Sequence, residues 1–151
     1  MLILGIQGSP RKKGNTNYLL TAFMNEAERF GVRTHVIEVA QKNIVPCLGC
    51  GFCEKNGYCV TQDDDMKPEI YPLLREADVI VLASPIYFYN VTAQIKALID
   101  RSQALWSRKY KLNLADPARN YRRGFYCPWG LPEGKIFLKT STSQPNIFTM
   151  P

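Results

Sequence analysis

The strongest constraint on the fold is a hydrophobic pattern that changes twice within the first forty residues. Residues 1–7 form a short, nearly continuous apolar run, which is typical of a strand buried on both faces. A turn signal follows at residues 8–10, and apolar residues then recur at helical spacing up to Gly31, which is suited to a helix end. Residues 33–39 alternate as a second strand. The pattern therefore predicts a strand–helix–strand unit.

The rest of the chain continues this alternation. We predict a helix over 64–76, a strand over 79–83, a helix over 92–106 and the start of a fourth strand at 123–126. Residues 44–65 show neither period and are interpreted as a long functional loop. Strands that alternate with helices form a parallel α/β sheet, whose ligands lie beyond the carboxyl ends of the strands. We therefore expect the segments 8–16, 47–59 and 84–90 on one edge of the sheet.

Size and charge narrow the classes of function. The 151 residues suit a single domain. The net charge of +6 suits anionic small molecules such as nucleotides, but the Lys and Arg residues are too scattered to indicate nucleic-acid binding. The longest apolar stretch, residues 79–83, is too short to cross a membrane, and the N-terminus lacks the pattern of a secretory signal. We expect a cytoplasmic protein without nucleic-acid or membrane partners.

The segment 8–16 has the composition of a phosphate-binding loop. It joins a buried strand to a helix, where backbone N–H groups and local cations favour an anion. Ser9, Asn15 and Thr16 offer hydrogen bonds to phosphate oxygens, and Arg11 offers charge. The segment matches neither the P-loop pattern nor GxGxxG. The alternative is a simple turn, with Asn15 or Thr16 as the N-cap of the helix.

Four of the five cysteines lie within thirteen residues, which points to metal or redox chemistry. They are Cys47, Cys50, Cys53 and Cys59. Three closely spaced cysteines and a more distant fourth favour a [4Fe–4S] cluster. Zinc sites with four cysteines are more often two CxxC pairs separated by a longer spacer. Zinc, unligated thiols and a redox-active cysteine pair remain as alternatives.

Three aromatic residues follow the third predicted strand. Tyr87, Phe88 and Tyr89 are placed to frame a flat heterocycle, or else to form a surface or dimer-interface patch. Lys96, Asp100 and Arg101 are interpreted as solvated or helix-packing residues, and residues 63–65 as negative charge at a helix N-terminus. No known catalytic arrangement of side chains is visible, so the catalytic residues stay unassigned.

Together the three segments resemble the iron–sulfur flavoproteins, a branch of the flavodoxin-like NAD(P)H-dependent FMN reductase superfamily. The matching stretches are GSPRKKGNT (8–16), PCLGCGFCEKNGYC (46–59) and SPIYFYNVTAQIKALIDR (84–101). The resemblance extends to about Tyr126 and covers a flavodoxin-like domain over 1–126, which includes a cysteine loop at 46–60. The wider superfamily shares the first and third stretches, and the cysteines narrow the resemblance to this branch.

The resemblance implies a doubly wound parallel sheet of order 2-1-3-4-5 and two cofactors. FMN would place its phosphate on Ser9, Arg11, Asn15 and Thr16, and its ribityl chain and ring along Pro85, Ile86, Tyr87, Phe88, Tyr89 and Asn90. A [4Fe–4S] cluster would bind Cys47, Cys50, Cys53 and Cys59 near a subunit interface. The implied function is electron transfer or NAD(P)H-dependent reduction. NAD(P)H or a ferredoxin-type protein would be the electron donor, and the chain would form a dimer or tetramer.

Residues 127–151 depart from the family pattern. They include four prolines and show neither a helical nor a strand period, so we expect the last strand and helix of the fold to be missing. One hypothesis is that this tail is truncated or read out of frame. Two alternative functions follow: an NAD(P)H:FMN or quinone reductase without a cluster, and a truncated product with no activity.

Overall fold

The sheet is built around β1 (Leu2–Gln7), which pairs with a parallel strand on each side. In the computed structural model, which describes residues 1–114 and the strand β4 (Arg123–Trp129), the order is β2-β1-β3-β4. The other strands are β2 (Arg33–Glu38) and β3 (Val79–Pro85). All pairs are parallel, so the predicted doubly wound α/β fold is confirmed for the first four strands. The described residues include no fifth strand.

Alternate residues of β1 pack on opposite faces of the sheet. Ile3 contacts Leu20 and Met24 of α1 (Asn15–Arg29) on one face. A Cβ at Gly5 would lie 2.9 Å from the Met24 Cε atom, so glycine lets α1 approach the strand closely. The larger core lies on the other face, beneath α3 (Tyr71–Glu76), α4 (Ala93–Arg101) and α5 (Gln103–Trp106). It includes Leu4, Ile6, Ile37, Met66, Ile70, Leu74, Ile95 and Leu98.

The helix predicted over 64–76 has an irregular beginning. A π-helical turn over Met66–Ile70 precedes α3, with the Ile70 N–H donating to the Asp65 carbonyl at 3.1 Å. Pro68 and Pro72 lack the N–H groups that a regular α-helix would use here. The two prolines therefore explain why the regular helix begins later than predicted.

Several apolar side chains lie outside the core. On α1, Tyr18 and Phe23 are exposed, although they share the helical spacing of the buried residues. Ile37 is the buried residue of β2, because this strand pairs only with β1 among the described strands. Ile99 of α4 is exposed as well. The buried side of α4 follows a three-residue spacing, and it ends at Arg101.

Two element ends also differ from prediction. The helix predicted over 92–106 is divided into α4 and α5, and a π-helical turn at Ser107–Lys111 continues it. Strand β4 continues past residue 126 through Pro128, which is opposite Ser84 of β3. Among the described strands β4 is at the edge, where a missing N–H group is tolerated. The remainder of the predicted tail, residues 130–151, lies outside the described residues.

The cysteine segment contains a short helix that the sequence did not predict, α2 (Phe52–Asn56). Gly51 precedes it and Gly57 follows it, with φ angles of 68° and 73°. These left-handed conformations suit glycine and limit the helix to little more than one turn. Within the described part of the chain, no helix combines the length and hydropathy that a membrane span requires.

Candidate functional site

The loops after β1 and β3 are hydrogen-bonded to each other at the carboxyl ends of these strands. The Gly8 N–H donates to the Ala83 carbonyl at 2.8 Å, and the Thr92 hydroxyl donates to the Gly8 carbonyl at 2.8 Å. The Thr92 N–H in turn donates to the buried Ser84 hydroxyl at 3.3 Å. The strand order reverses between β1 and β3, and parallel sheets bind ligands at such a point. The structure thus brings the predicted phosphate loop and the aromatic loop together.

The phosphate loop leaves the start of α1 open. Gly14 is the N-cap and no side chain caps the helix, so the alternative in which Asn15 or Thr16 is the cap is wrong. The backbone N–H groups of residues 15–17 donate to no other described residue, and the first turn contains no acidic residue. Ser9 and Thr16 are buried, whereas Arg11 and Asn15 are exposed. Free N–H groups at the positive end of a helix favour an anion.

The aromatic loop forms a tight two-residue turn. Tyr87 and Asn90 exchange backbone hydrogen bonds of 2.8 and 3.0 Å, and Phe88 and Tyr89 occupy the turn with φ angles of 51° and 62°. Both turn side chains are fully exposed, and Tyr87 is half-exposed. Such turns favour Asn-Gly, so two bulky residues there are strained. Pro85 and Ile86 are half-buried beneath the turn.

All four cysteines of the predicted metal site line one cavity of about 30 Å³. None of them forms a disulfide; Cys47 and Cys50 are exposed, and Cys53 and Cys59 are half-buried. The buried Ser107 hydroxyl donates to the Cys53 sulfur at 3.8 Å. The structure therefore brings the four predicted ligands to one place.

The backbone of the cysteine segment leaves several N–H groups without a partner among the described residues. The N–H groups of residues 47–51 donate to no other described residue, and Gly49 and Gly51 face open space in left-handed conformations. Free amides of this kind can donate to cluster sulfurs. No group of three or more His, Cys, Asp or Glu side chains in the described residues is arranged to hold one metal ion.

The cysteine cavity lies at the far end of α4 from the phosphate loop. Asp100, Arg101 and Ala104 line the cavity, whereas Gly8 contacts Thr92 at the start of the helix. A helix of nine residues is about 13 Å long. The expectation that all three segments share one edge is therefore confirmed for two of them and wrong for the cysteine segment.

A buried ion pair lies beneath the cysteine segment. Arg101 and Asp64 are each almost completely buried, and they form two hydrogen bonds with each other. Burial opposes the charged form of Arg101, but the hydrogen bond to Asp64 and the nearby Cys59 and Tyr71 side chains raise the pKa of Arg101 overall. Of the two roles expected for Arg101, the structure therefore shows the helix-packing one and not the solvated one. Asp64 lies at the start of a helix as predicted, because its carboxylate accepts the Met66 N–H at 3.2 Å. The pairing of these two side chains with each other was not predicted. One signal was available, because Arg101 follows Leu98 by three residues on the buried side of α4.

A second cavity, of about 300 Å³, adjoins the first at Cys59. Its lining includes Lys67, Arg75 and Tyr71. The Tyr71 hydroxyl donates to the Arg101 carbonyl at 2.8 Å, and burial raises the pKa of Tyr71 to about 12. A second solvent-connected cavity thus reaches Cys59, one of the four predicted cluster ligands.

The model of the NADPH-dependent FMN reductase family matches residues 1–117. The chain belongs to this family. Curated relatives of the chain include an iron–sulfur flavoprotein of Methanocaldococcus jannaschii, 44% identical over 105 residues, which are 70% of this chain and 53% of the relative. Another iron–sulfur flavoprotein, of Archaeoglobus fulgidus, is 45% identical over 101 residues, 67% of this chain and 45% of the relative. This chain spans about half the length of these relatives.

Solved structures show the same fold for this FMN reductase family member. An NAD(P)H:quinone oxidoreductase from Methanothermobacter marburgensis matches 70% of this chain and 53% of its own, with a TM-score of 0.56 and 17% identity. The structure of RosB with a bound intermediate matches 85% of this chain and 52% of its own, with a TM-score of 0.54 and 21% identity. The predicted resemblance to flavodoxin-like FMN reductases is therefore confirmed.

Proposed function

We propose that this chain binds FMN and a [4Fe–4S] cluster and acts as an oxidoreductase in electron transfer or NAD(P)H-dependent reduction. The observation that carries the proposal is that one helix, α4, contacts two sites. Its start is hydrogen-bonded to the loop that leads to the open N-terminus of α1, and its end lies beside four free cysteines around one cavity. Membership of the NADPH-dependent FMN reductase family and similarity to iron–sulfur flavoproteins support both cofactors. When bound, the flavin supplies two-electron and the cluster one-electron redox chemistry.

The chain's contribution at the flavin site is to bind and orient. The N–H groups at the start of α1, with Ser9, Arg11, Asn15 and Thr16, would hold the phosphate. Pro85, Ile86, Tyr87, Phe88, Tyr89 and Asn90 would lie along the ribityl chain and the ring. The bond between Thr92 and Gly8 sets the spacing of the two loops.

The phosphate assignment is tested by placing a carboxylate among the free N–H groups. Asn15→Asp should weaken FMN binding about tenfold or more, because like charges repel at close range, and should leave binding of riboflavin, which has no phosphate, unchanged. Fluorescence titration measures both affinities. Thr21→Asp, at an exposed position further along α1, adds the same charge outside the loop and is the matched control. Equal losses for FMN and riboflavin would contradict the assignment.

The cluster assignment is tested by anaerobic reconstitution with iron and sulfide. We expect about four irons and four sulfides per wild-type chain and a broad visible absorbance. Cys50→Ser, at an exposed position, should lose most of the iron, whereas Cys127→Ser, outside the four-cysteine segment, should retain it. A wild-type spectrum that shows flavin alone would exclude the cluster.

That last outcome would favour the second candidate, an NAD(P)H:FMN or quinone reductase without a cluster. One structural observation favours this second candidate: no group of described side chains is arranged to hold a single metal ion. NAD(P)H or a ferredoxin-type protein is the proposed donor, and anaerobic bleaching of the flavin absorbance by each distinguishes them. We also propose a dimer or tetramer, which sedimentation of the loaded protein tests.

A further inference from the structure

One side chain holds both ends of the cysteine segment. The Arg101 Nη1 atom donates to the Val45 carbonyl at 2.7 Å, and its Nη2 atom donates to the Thr61 carbonyl at 3.1 Å. Val45 and Thr61 flank the four cysteines in the sequence. The Asp64 carboxylate completes the contact, since it binds Arg101 and accepts the Val45 N–H at 3.2 Å. The guanidinium therefore closes the loop that carries the proposed ligands.

Four of the five N–H groups of Arg101 are accounted for by these contacts. A guanidinium has five N–H donors. The two on Nη1 point to Val45 and Asp64, and the two on Nη2 point to Thr61 and Asp64. The fifth, on Nε, is buried and has no hydrogen-bond partner among the described residues. Buried donors in native proteins are nearly always paired, so this one calls for an acceptor.

The cysteine cavity offers that acceptor. Arg101 lines the cavity together with all four cysteines, and its side chain is 1% exposed. The Asp64 oxygens are already used, because they also accept the N–H groups of Val45 and Met66, each at 3.2 Å. An anionic sulfur is a good acceptor for a cationic donor, and such outer contacts tune sulfur-ligated metal groups.

We propose that Arg101 is a positioning residue of the cysteine site, which closes the segment between Val45 and Thr61 and donates its Nε–H to a sulfur of the group bound there. This inference rests on the proposed cluster. A hydrogen bond to sulfur stabilises added negative charge, so it makes the cluster easier to reduce. Arg101 should thus influence both the retention of the cluster and its midpoint potential.

The test compares Arg101→Lys with Asp65→Ala in the full chain. Lysine retains the charge beside Asp64 but has a single nitrogen and no rigid fork, so it cannot make all these contacts. Asp65 also links the two ends of the segment, since its carboxylate accepts the Asn43 N–H at 2.7 Å, but it does not line the cavity. It is the matched control for loop closure alone.

The readouts are iron and sulfide per chain after anaerobic reconstitution, and the midpoint potential from a redox titration monitored by electron paramagnetic resonance. We expect Arg101→Lys to bind iron about tenfold more weakly and to shift the remaining cluster to a more negative potential. Asp65→Ala should match the wild type in both. If Arg101→Lys fails to fold, Asp64→Leu/Arg101→Met removes both buried charges and allows the same measurements.

The outcomes separate the two proposals. A wild-type chain that takes up no iron overturns the proposed cluster and this inference with it. A wild-type chain with a full cluster, beside a folded Arg101 variant that has the same iron content and the same potential, overturns the inference alone. Equal losses in Arg101→Lys and Asp65→Ala overturn the proposed hydrogen bond from Arg101 Nε to sulfur, because loop closure would then account for the whole effect.

Discussion

Gly8 shows how a residue without a side chain determines the spacing of two loops. A Cβ at this position would lie 1.9 Å from the Cδ1 atom and 2.4 Å from the Cγ1 atom of Ile95, which is completely buried. The backbone of Gly8 is also hydrogen-bonded to Ala83 and Thr92. The loop therefore has little freedom to move away from α4.

Gly8→Ala should destabilise the protein by about 1–3 kcal/mol, the usual cost of overpacking a core. Chemical denaturation measures this cost. Ile95→Ala removes the two clashing atoms, so Gly8→Ala should cost at least about 1 kcal/mol less in that background, as expected for directly coupled sites. Additive costs in the double variant would show that the contact with Ile95 is not the cause.

Tyr71 should make the stability of the protein depend on alkaline pH. Burial raises its pKa from 10.0 to about 12, so the folded state holds its proton more strongly than the unfolded state. The resulting stability, about 2–3 kcal/mol for a shift of this size, is present below pH 10 and is lost as pH rises towards 12. The raised pKa of Lys42, caused by its hydrogen bond to Glu69, acts in the same direction.

Tyr71→Phe should lose about 0.5–1.5 kcal/mol near neutral pH with the hydrogen bond to Arg101, and its stability should decline less between pH 10 and 12. Denaturant unfolding across this range measures both effects. Tyr18→Phe, at an exposed position, is the control. An unchanged decline in Tyr71→Phe would contradict the assignment.

At the scale of elements, the aromatic turn combines strain with full exposure. Phe88 and Tyr89 hold positive φ angles that bulky residues rarely adopt. Backbone strain of this kind is often found where a ligand binds. The turn is therefore the element in which stability and flavin binding should oppose each other.

Tyr89→Gly should stabilise the protein by about 1 kcal/mol, because glycine adopts this conformation without strain. It should also weaken FMN binding if the ring frames the flavin, whereas Tyr89→Phe should change neither property much. Denaturation and FMN titration of the same samples give both values. A less stable Tyr89→Gly variant would show that the ring makes contacts that outweigh the strain.

The elements that were predicted well from the sequence are those in which the local pattern of apolar and polar residues reflects burial. Strand β1 was evident because all six of its residues are buried, and the loops at 8–16 and 84–90 followed from strand ends. The short helix α2 and the π-helical turn at Met66–Ile70 were not evident, since glycine and proline geometry forms them without an apolar period. The pairing of Arg101 with Asp64 joins residues 37 positions apart, which no local pattern indicates.

At the scale of the whole molecule, one sheet connects two cores of unequal size. The larger core lies beneath α3, α4 and α5, and the smaller lies between α1 and the other face. Strand β1 contributes to both and pairs on both sides, whereas β2 pairs only with β1 among the described strands. Local stability should therefore be highest at β1 and fall towards β2.

Native-state hydrogen exchange tests this order. We expect slow exchange at every amide of β1, since both neighbours accept its hydrogen bonds. In β2 we expect slow and fast amides to alternate, because every second N–H group of an edge strand points away from the sheet. Uniformly strong protection along β2 would contradict its position at the edge and would indicate a further partner strand.

Helix α4 connects the two proposed cofactor pockets. Thr92 anchors one end to the loop proposed to hold phosphate, and Arg101 anchors the other to the segment proposed to hold metal. Both anchoring residues belong to one short helix, so a displacement of either pocket along the axis of α4 would also displace the other pocket. A substitution of Leu98, which is buried on the inner side of α4, should therefore disturb two pockets that share no side chain. A variant designed to change one of these pockets should also alter the other.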